Sequence, residues 1–296
     1  MKRGVSLIEE KRREYHRKLC TCVLGFREGI PTNADKKSKT STRIARALAS
    51  MISRSAGVEL REIDAKPQEL GGIFTTCTRE FLEETFKSLD HARPGPWDFD
   101  TSQARLGIAR YEPYIHLAAL DELVKLLESK NPALATAFER DYLIIPDIVI
   151  ARRPWPDEEI NRGDLIIIEG DEYARYSPFR KKRDDQPSIL HASISCKWTL
   201  RSDRAQNART EALNLIRNRK GRTPHIVVVT GEPLPTRIAS IALGTGDIDC
   251  VYHVALLELR QVIREAGNED QADMLDQLVE GSRLRDISDL PLDLAI

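Results

Sequence analysis

Lys197 and Asp147 are the residues of this chain whose settings most clearly ask for chemistry. Lys197 lies near the end of ILHASISCKW (residues 189–198), where large or apolar side chains alternate with small or polar ones as on a core-edge strand. A lysine there wants an anion. Far upstream, Pro146 and Asp147 interrupt the otherwise apolar stretch LIIPDIVI (residues 143–150). A carboxylate embedded there needs a partner, because burying it unpaired is costly, and a divalent metal is the economical one. Beyond Lys197, after three intervening residues, comes RSDR, Arg201 to Arg204, and then Ala205, Ala208, Ala212, Leu215 and Ile216 at helical spacing. Ser202 or Asp203 is placed to accept the first free helix N–H groups. A helix start thereby aims two arginines and an aspartate at whatever faces it. Arginine is a two-pronged donor that matches N7 and O6 of guanine, and aspartate can accept from N4 of cytosine. Each such contact discriminates bases by ~1–3 kcal/mol.

Taken singly, these features have plain explanations: Lys197 as a surface residue of a strand, RSDR as a solvated helix cap. Their coincidence, with Asp147 added, is what argues for a site. Charge is consistent with this. The chain as a whole carries a net charge of −1, so no global basic field announces nucleic acid. Between Lys197 and Arg222, however, eight basic residues face two acidic ones, the local patch that phosphate contact requires.

The elements that would hold these residues are those of an α/β protein. HIVVVTGEP (residues 225–233) is a β-branched run bounded by Gly and Pro, the pattern of a strand buried on both faces. Amphipathic helices are expected over Leu7–Leu24, Thr42–Ser55, Ile73–Leu89 and Tyr114–Ser129. A further strand is expected at Asp164–Ile168, followed by Glu169, the main rival of any second acid. ARPGPWDF (residues 92–99) reads as a turn-rich connection, and GIPTNADKKSKT (residues 29–40) as a polar loop able to reach DNA. Glu80, Glu83 and Glu84 read as surface acids. The whole, residues 1–296, is expected to form one domain with a mixed central β-sheet flanked by helices.

Other chemistries are disfavoured. The five cysteines form no CxxC pair and are expected to be reduced thiols of a cytoplasmic protein. The six histidines have no HExxH-like spacing, so zinc is not expected. The charged start MKRGVSLIEEKRREYHRK is not expected to be a secretory signal, and no apolar run approaches the ~20 residues of a membrane span.

Asp147 followed by a strand ending in Lys197 resembles the PD…(D/E)xK nuclease arrangement. Where that arrangement has an acid, two residues before the lysine, this chain has Ser195. That departure, with SISCKW, RSDR and Glu211, resembles the NgoMIV group of type IIF restriction endonucleases, in which the acid has moved onto the following helix. The likeness extends through TNAD (residues 32–35), ARPGPW, KWTLRSDRAQNAR, NRKGRTPHIVVVT, IALGTGDIDCVYH and the terminal DISDLPLDLAI.

The resemblance implies a restriction-endonuclease-like core and Mg²⁺-dependent cleavage of double-stranded DNA. It implies that Asp147 and the main-chain carbonyl of Cys196 hold the metal, that Lys197 positions the attacking water, and that Glu211 takes the place Ser195 cannot fill. Arg201, Asp203 and Arg204 supply groups for a CCGG core. The resemblance adds Asp35 and Arg237 as major-groove contacts and Gln68 as a minor-groove one, which extends the expected site to GCCGGC. It further implies a homotetramer of two dimers, in a prokaryotic cytoplasm whose DNA a cognate methyltransferase protects. The competing readings are a structure-specific repair nuclease, against which the base-reading RSDR argues, and a non-cleaving DNA-binding protein on a nuclease scaffold, against which the intact Asp147, Lys197 and Glu211 argue.

Overall fold

The computed structural model describes residues 4–101, 107–133, 144–244 and 246–296, without the side chains of residues 120, 121, 123, 124 and 202–204. A six-stranded sheet runs in the order β3 (Trp97–Asp100), β4 (Ile148–Arg152), β5 (Ile189–Lys197), β6 (His225–Thr230), β7 (Cys250–His253) and β8 (Leu284–Asp286). Strands β3, β4 and β5 pair antiparallel, and β5 to β8 pair parallel. The sheet is therefore mixed, as expected, with helical crossovers in its parallel half. A separate small hairpin joins β1 (Phe26–Arg27) to β2 (Ile30–Pro31).

The long helices on the N-terminal side are α1 (Leu7–Cys22), α2 (Lys39–Ala56) and α3 (Pro67–Lys87), with α1 against both of the others and α3 lying on β3 and β5. In α2 the buried Ile44, Leu48 and Ile52 recur every four residues, a stripe that fixes which face meets the core. Helix α4 (Ala118–Lys130) follows a short 3-10 turn at Ile115–Leu117. The crossovers supply α5 (Ser202–Asn218), α6 (Pro235–Ala242), α7 (Leu256–Ala266) and α8 (Glu269–Glu280). One apolar cluster runs from Tyr15 to Leu294. Arg12 of α1 closes the chain on itself: it donates to Glu258 on α7 at 2.9 and 2.7 Å and to Asp286 on β8 at 2.8 Å through two nitrogens. No helix among the described residues is long and apolar enough to cross a membrane.

Two expectations about elements are corrected. Asp164–Ile168 is not a strand; Leu165, Ile166 and Ile168 are exposed. The side-chain amide of Asn161 bonds the N–H groups of Ile166 and Ile167 and the carbonyl of Ile167, taking the place of a neighbouring strand. Conversely, Trp97–Asp100, read as part of a turn, pairs with Arg152–Val149 as the sheet's edge strand. The stretch beginning at Leu143 yields a strand only from Ile148, with Asp147 in the bend before it, and Leu143 itself lies outside the described residues.

Candidate active site

The topology explains how two residues fifty positions apart come together. Because β4 and β5 are antiparallel and Ile148 pairs with Ile194, the start of β4 lies beside the end of β5. Asp147, one residue before β4, therefore falls beside Ser195, Cys196 and Lys197. Its Oδ2 accepts from Lys197 Nζ at 2.8 Å, from the Cys196 N–H at 2.7 Å and, at a long 3.5 Å, from Ser195 Oγ. Ser195 and Lys197 share a face of β5 because strand side chains alternate. Cys196 points the other way into the core, where burial pushes its thiol pKa up.

Glu211 arrives from α5. The buried face of that helix is Ala205, Ala208, Ala212 and Leu215, and three alanines let it lie close to its neighbours. Glu211, three residues after Ala208 and next to Ala212, rides on the same side. Burial raises its carboxyl pKa above the usual range and Asp147 adds to this, while Lys197 and the neighbouring Ser195 hydroxyl oppose it. For Lys197, burial is the largest influence and favours the neutral amine. The charges of Asp147 and Glu211 together with the bond to Asp147 overcome it and hold the pKa above its ordinary value. The lysine is thus a protonated donor between two acids.

Among the described residues no three His, Cys, Asp or Glu side chains are arranged to hold a metal. What the site offers is hard oxygen. The three donors to Asp147 among the described residues all address Oδ2, which leaves Oδ1 for a cation. An extended residue turns its N–H and C=O to the same side, so Cys196, whose N–H meets Asp147, turns its carbonyl that way too. A carboxylate, a main-chain carbonyl and a nearby second acid suit Mg²⁺, which keeps several waters and is held through few protein ligands.

The catalytic candidates open onto a cleft of about 500 Å³ that Gln68, Cys196, Lys197, Arg201 and Glu211 line together. A second cleft adjoins it, lined by Asp35, Arg201, Arg209 and Arg237, so Arg201 borders both. Arg237 and Asp35 form an ion pair, and the Arg237 bond is the main influence holding the Asp35 pKa down. The structure thus gathers Asp35, Gln68, Lys197, Arg201, Glu211 and Arg237 around two joined clefts, with Asp147 and Ser195 beside Lys197. Arg201 stands at the N-cap position of α5, and Ser202 and Asp203 lie inside its first turn. The side chains of Asp203 and Arg204 lie outside the described set.

The rival acids lie elsewhere. Glu169 is exposed and lines a separate depression with Asp157, Arg175 and Arg180. Glu80 pairs with Lys18 on the helical surface.

Sequence reasoning passed over Thr230 and Glu232, which act through the backbone and leave no motif. Thr230 Oγ1 donates to the Lys197 carbonyl at 2.7 Å, steadying the end of β5. Glu232 is completely buried, and burial pushes its carboxyl up to about 7. A carboxyl raised in this way holds its proton more tightly in the native state than in the unfolded chain. Its contribution to stability is full below the ordinary value and is lost as pH rises through about 7.

The model of the NgoMIV restriction enzyme family matches residues 15–296. The chain is 47% identical over 294 residues to the type II restriction enzyme NgoMIV of Neisseria gonorrhoeae, covering 98% of this chain and 99% of that protein.

Proposed function

The chain belongs to the NgoMIV restriction enzyme family, and from that premise we propose that it cuts double-stranded DNA at the palindrome GCCGGC with Mg²⁺ as cofactor. It is a type II site-specific deoxyribonuclease. The observation that carries the reading is the meeting of Asp147, Lys197 and Glu211 beside the cleft that Arg201 and Gln68 also line. Asp147 and the Cys196 carbonyl would hold the metal. Bound Mg²⁺ polarises the phosphoryl oxygen and makes water a better nucleophile at neutral pH. Lys197, kept protonated by its two acidic neighbours, donates to the attacking water and orients it. Glu211 completes the acidic set, because the Ser195 hydroxyl cannot serve as a carboxylate does.

For base reading, Arg201 and Arg204 donate to the guanines of CCGG and Asp203 accepts from the paired cytosines. The outer G·C pair falls to Asp35 and Arg237 in the major groove, with Gln68 in the minor groove. The ion pair supports this, since it sets a guanine-type donor beside a cytosine-type acceptor. The check is cleavage of substrates altered only at the outer pair. Wild type should prefer GCCGGC to the other NCCGGN sites by about tenfold to a hundredfold, and Asp35→Ala should lose most of that preference. Equal cutting of all NCCGGN sites by wild type would leave only CCGG as the site.

The whole chain acts as one endonuclease domain in the prokaryotic cytoplasm, where a cognate methyltransferase protects the host DNA without needing to touch the enzyme. It assembles as a homotetramer of two dimers that engages two DNA sites, matching protein symmetry to palindromic sites. Leu165, Ile166, Ile168, Tyr173 and Tyr176 support assembly: they are 55 to 87% exposed on the segment between β4 and β5, an apolar surface that a second copy would cover. A two-site plasmid should then be cut faster than a one-site plasmid. Equal rates together with a dimeric mass in solution would remove the tetramer.

A further inference from the structure

Glu232 has no place in the chemistry just described, yet it is a fully buried carboxyl with no salt-bridge partner among the described residues. Burying such a group is costly unless its oxygens are satisfied, and here main-chain donors satisfy both. Oε2 accepts from the N–H of Leu200 at 2.8 Å, and Oε1 from the N–H of Leu234 at 3.2 Å. Leu200 is the residue before Arg201. Leu234 is the N-cap of α6, whose first turn carries Arg237. The single carboxyl therefore spans the roots of two loops that come from different strand ends, one after β5 and one after β6.

The backbone around Glu232 is tied down independently of that carboxyl. Its own N–H donates to Thr230 Oγ1 at 3.2 Å, and Thr230 Oγ1 donates to the Lys197 carbonyl at 2.7 Å. The ring of His253 meets the Glu232 carbonyl at 3.2 Å. Next to it, Gly231 accepts from Asn33 Nδ2 at 2.9 Å, which brings in the loop of Asp35, and a Cβ at position 231 would stand 2.5 Å from the Trp198 ring. The carboxylate is thus a fixed post, and the two loops are what it holds.

We propose that Glu232 is a positioning residue for base reading: its carboxylate pins Leu200 and Leu234 to one point, sets the spacing between Arg201 and Arg237, and so allows a wrong base pair to be rejected. This rests on the base-reading roles given above to Arg201 and Arg237. Discrimination depends on groups held to a fraction of an ångström, because a reading head that can shift will find an alternative partner on a wrong base. A glutamine keeps the size of the side chain and one carbonyl acceptor, but its amide cannot accept from the second N–H. One loop root is then released while the Lys197–Thr230 contact, which uses the main chain, stays.

The experiment is Glu232→Gln, assayed well below its melting temperature and at a pH above about 7, where the Glu232 carboxyl is ionised, on GCCGGC and on duplexes with one base pair changed. The expected result is a preference for the cognate site lowered by about tenfold or more, the weight of a hydrogen bond to a charged group. That loss should lie in KM and in the near-cognate rates, with kcat on the cognate site within about threefold of wild type. A lower melting temperature with unchanged preference is what a merely structural role gives, and it overturns the proposal. Hydrogen exchange of unsubstituted protein without DNA decides the matter should the variant fail to fold. The Leu200 and Leu234 amides must both exchange slowly, and exchange of either at the rate of an open loop overturns the clamp. If wild type itself shows no preference among sites, the base-reading roles fail instead, and the exchange measurement still judges the clamp.

Discussion

Asp147→Ala and Lys197→Ala should each reduce cleavage by at least about a thousandfold while leaving cognate DNA binding measurable in a gel-shift assay. The two losses have related causes. Asp147 is both the carboxylate available to a cation and the acceptor that holds Lys197 at 2.8 Å and the Cys196 N–H at 2.7 Å. Without it, burial acts on Lys197 with chiefly Glu211 in opposition, so the ammonium loses much of what keeps it charged. Removing Lys197 instead leaves Asp147 and Glu211 facing each other across a partly buried site, and the water loses its donor. Lys197 borders the cleft that Gln68 lines, but neither change removes Gln68, Asp35, Arg201 or Arg237, so recognition should survive. Asp147→Asn is the useful control, because it keeps the shape and removes the charge. Cleavage retained in either alanine variant would mean that the metal and the water are handled elsewhere.

The choice of second acid gives the other large effect. Glu211→Ala should fall by about a hundredfold or more in cleavage rate, since one member of a buried electrostatic set commonly carries that much. Glu169→Ala should stay within about threefold, because Glu169 is solvent-exposed in a separate depression near Arg180. Burial and Asp147 raise the Glu211 carboxyl, so its ionised form is lost on acidification sooner than that of an ordinary glutamate. The acid limb of the cleavage profile should therefore lie above the usual carboxylate range. The same shift means that native stability owed to protonated Glu211 is present at low pH and is lost as pH rises through the elevated value. Single-turnover rates of both variants across pH test the ranking, and a larger loss in Glu169→Ala than in Glu211→Ala would show that the wrong acid had been chosen.

How much of this was legible depends on whether a residue acts through its side chain at a regular spacing. The end of β5 was legible because a period of two sorts Ser195 and Lys197 from Cys196, and α5 because its alanines recur at helical spacing ahead of Glu211. Asp147 was legible as an interruption of an apolar run. Its contact with Lys197 was not, since that follows from the antiparallel register of β4 and β5. The apolar run at Asp164–Ile168 misled because an amide side chain, Asn161, supplied the bonds that a strand would have sought. Strand β3 was hidden for the opposite reason: WDFD becomes a strand only through pairing with residues about fifty positions later. Glu232 carried no signal at all, because its partners are main-chain N–H groups, which every non-proline residue has.

The bonds of Arg12 bear on when the molecule can be completed. Glu258 and Asp286 follow it by 246 and 274 residues, so during synthesis the first helix exists long before either acid that will neutralise its buried guanidinium. Contacts of such separation are the ones that slow folding, and the N-terminal-first order of translation gives them nothing to form against. The beginning and the end of the chain are therefore fastened together in a late step, and a product shortened at either terminus loses ion pairs from the same junction.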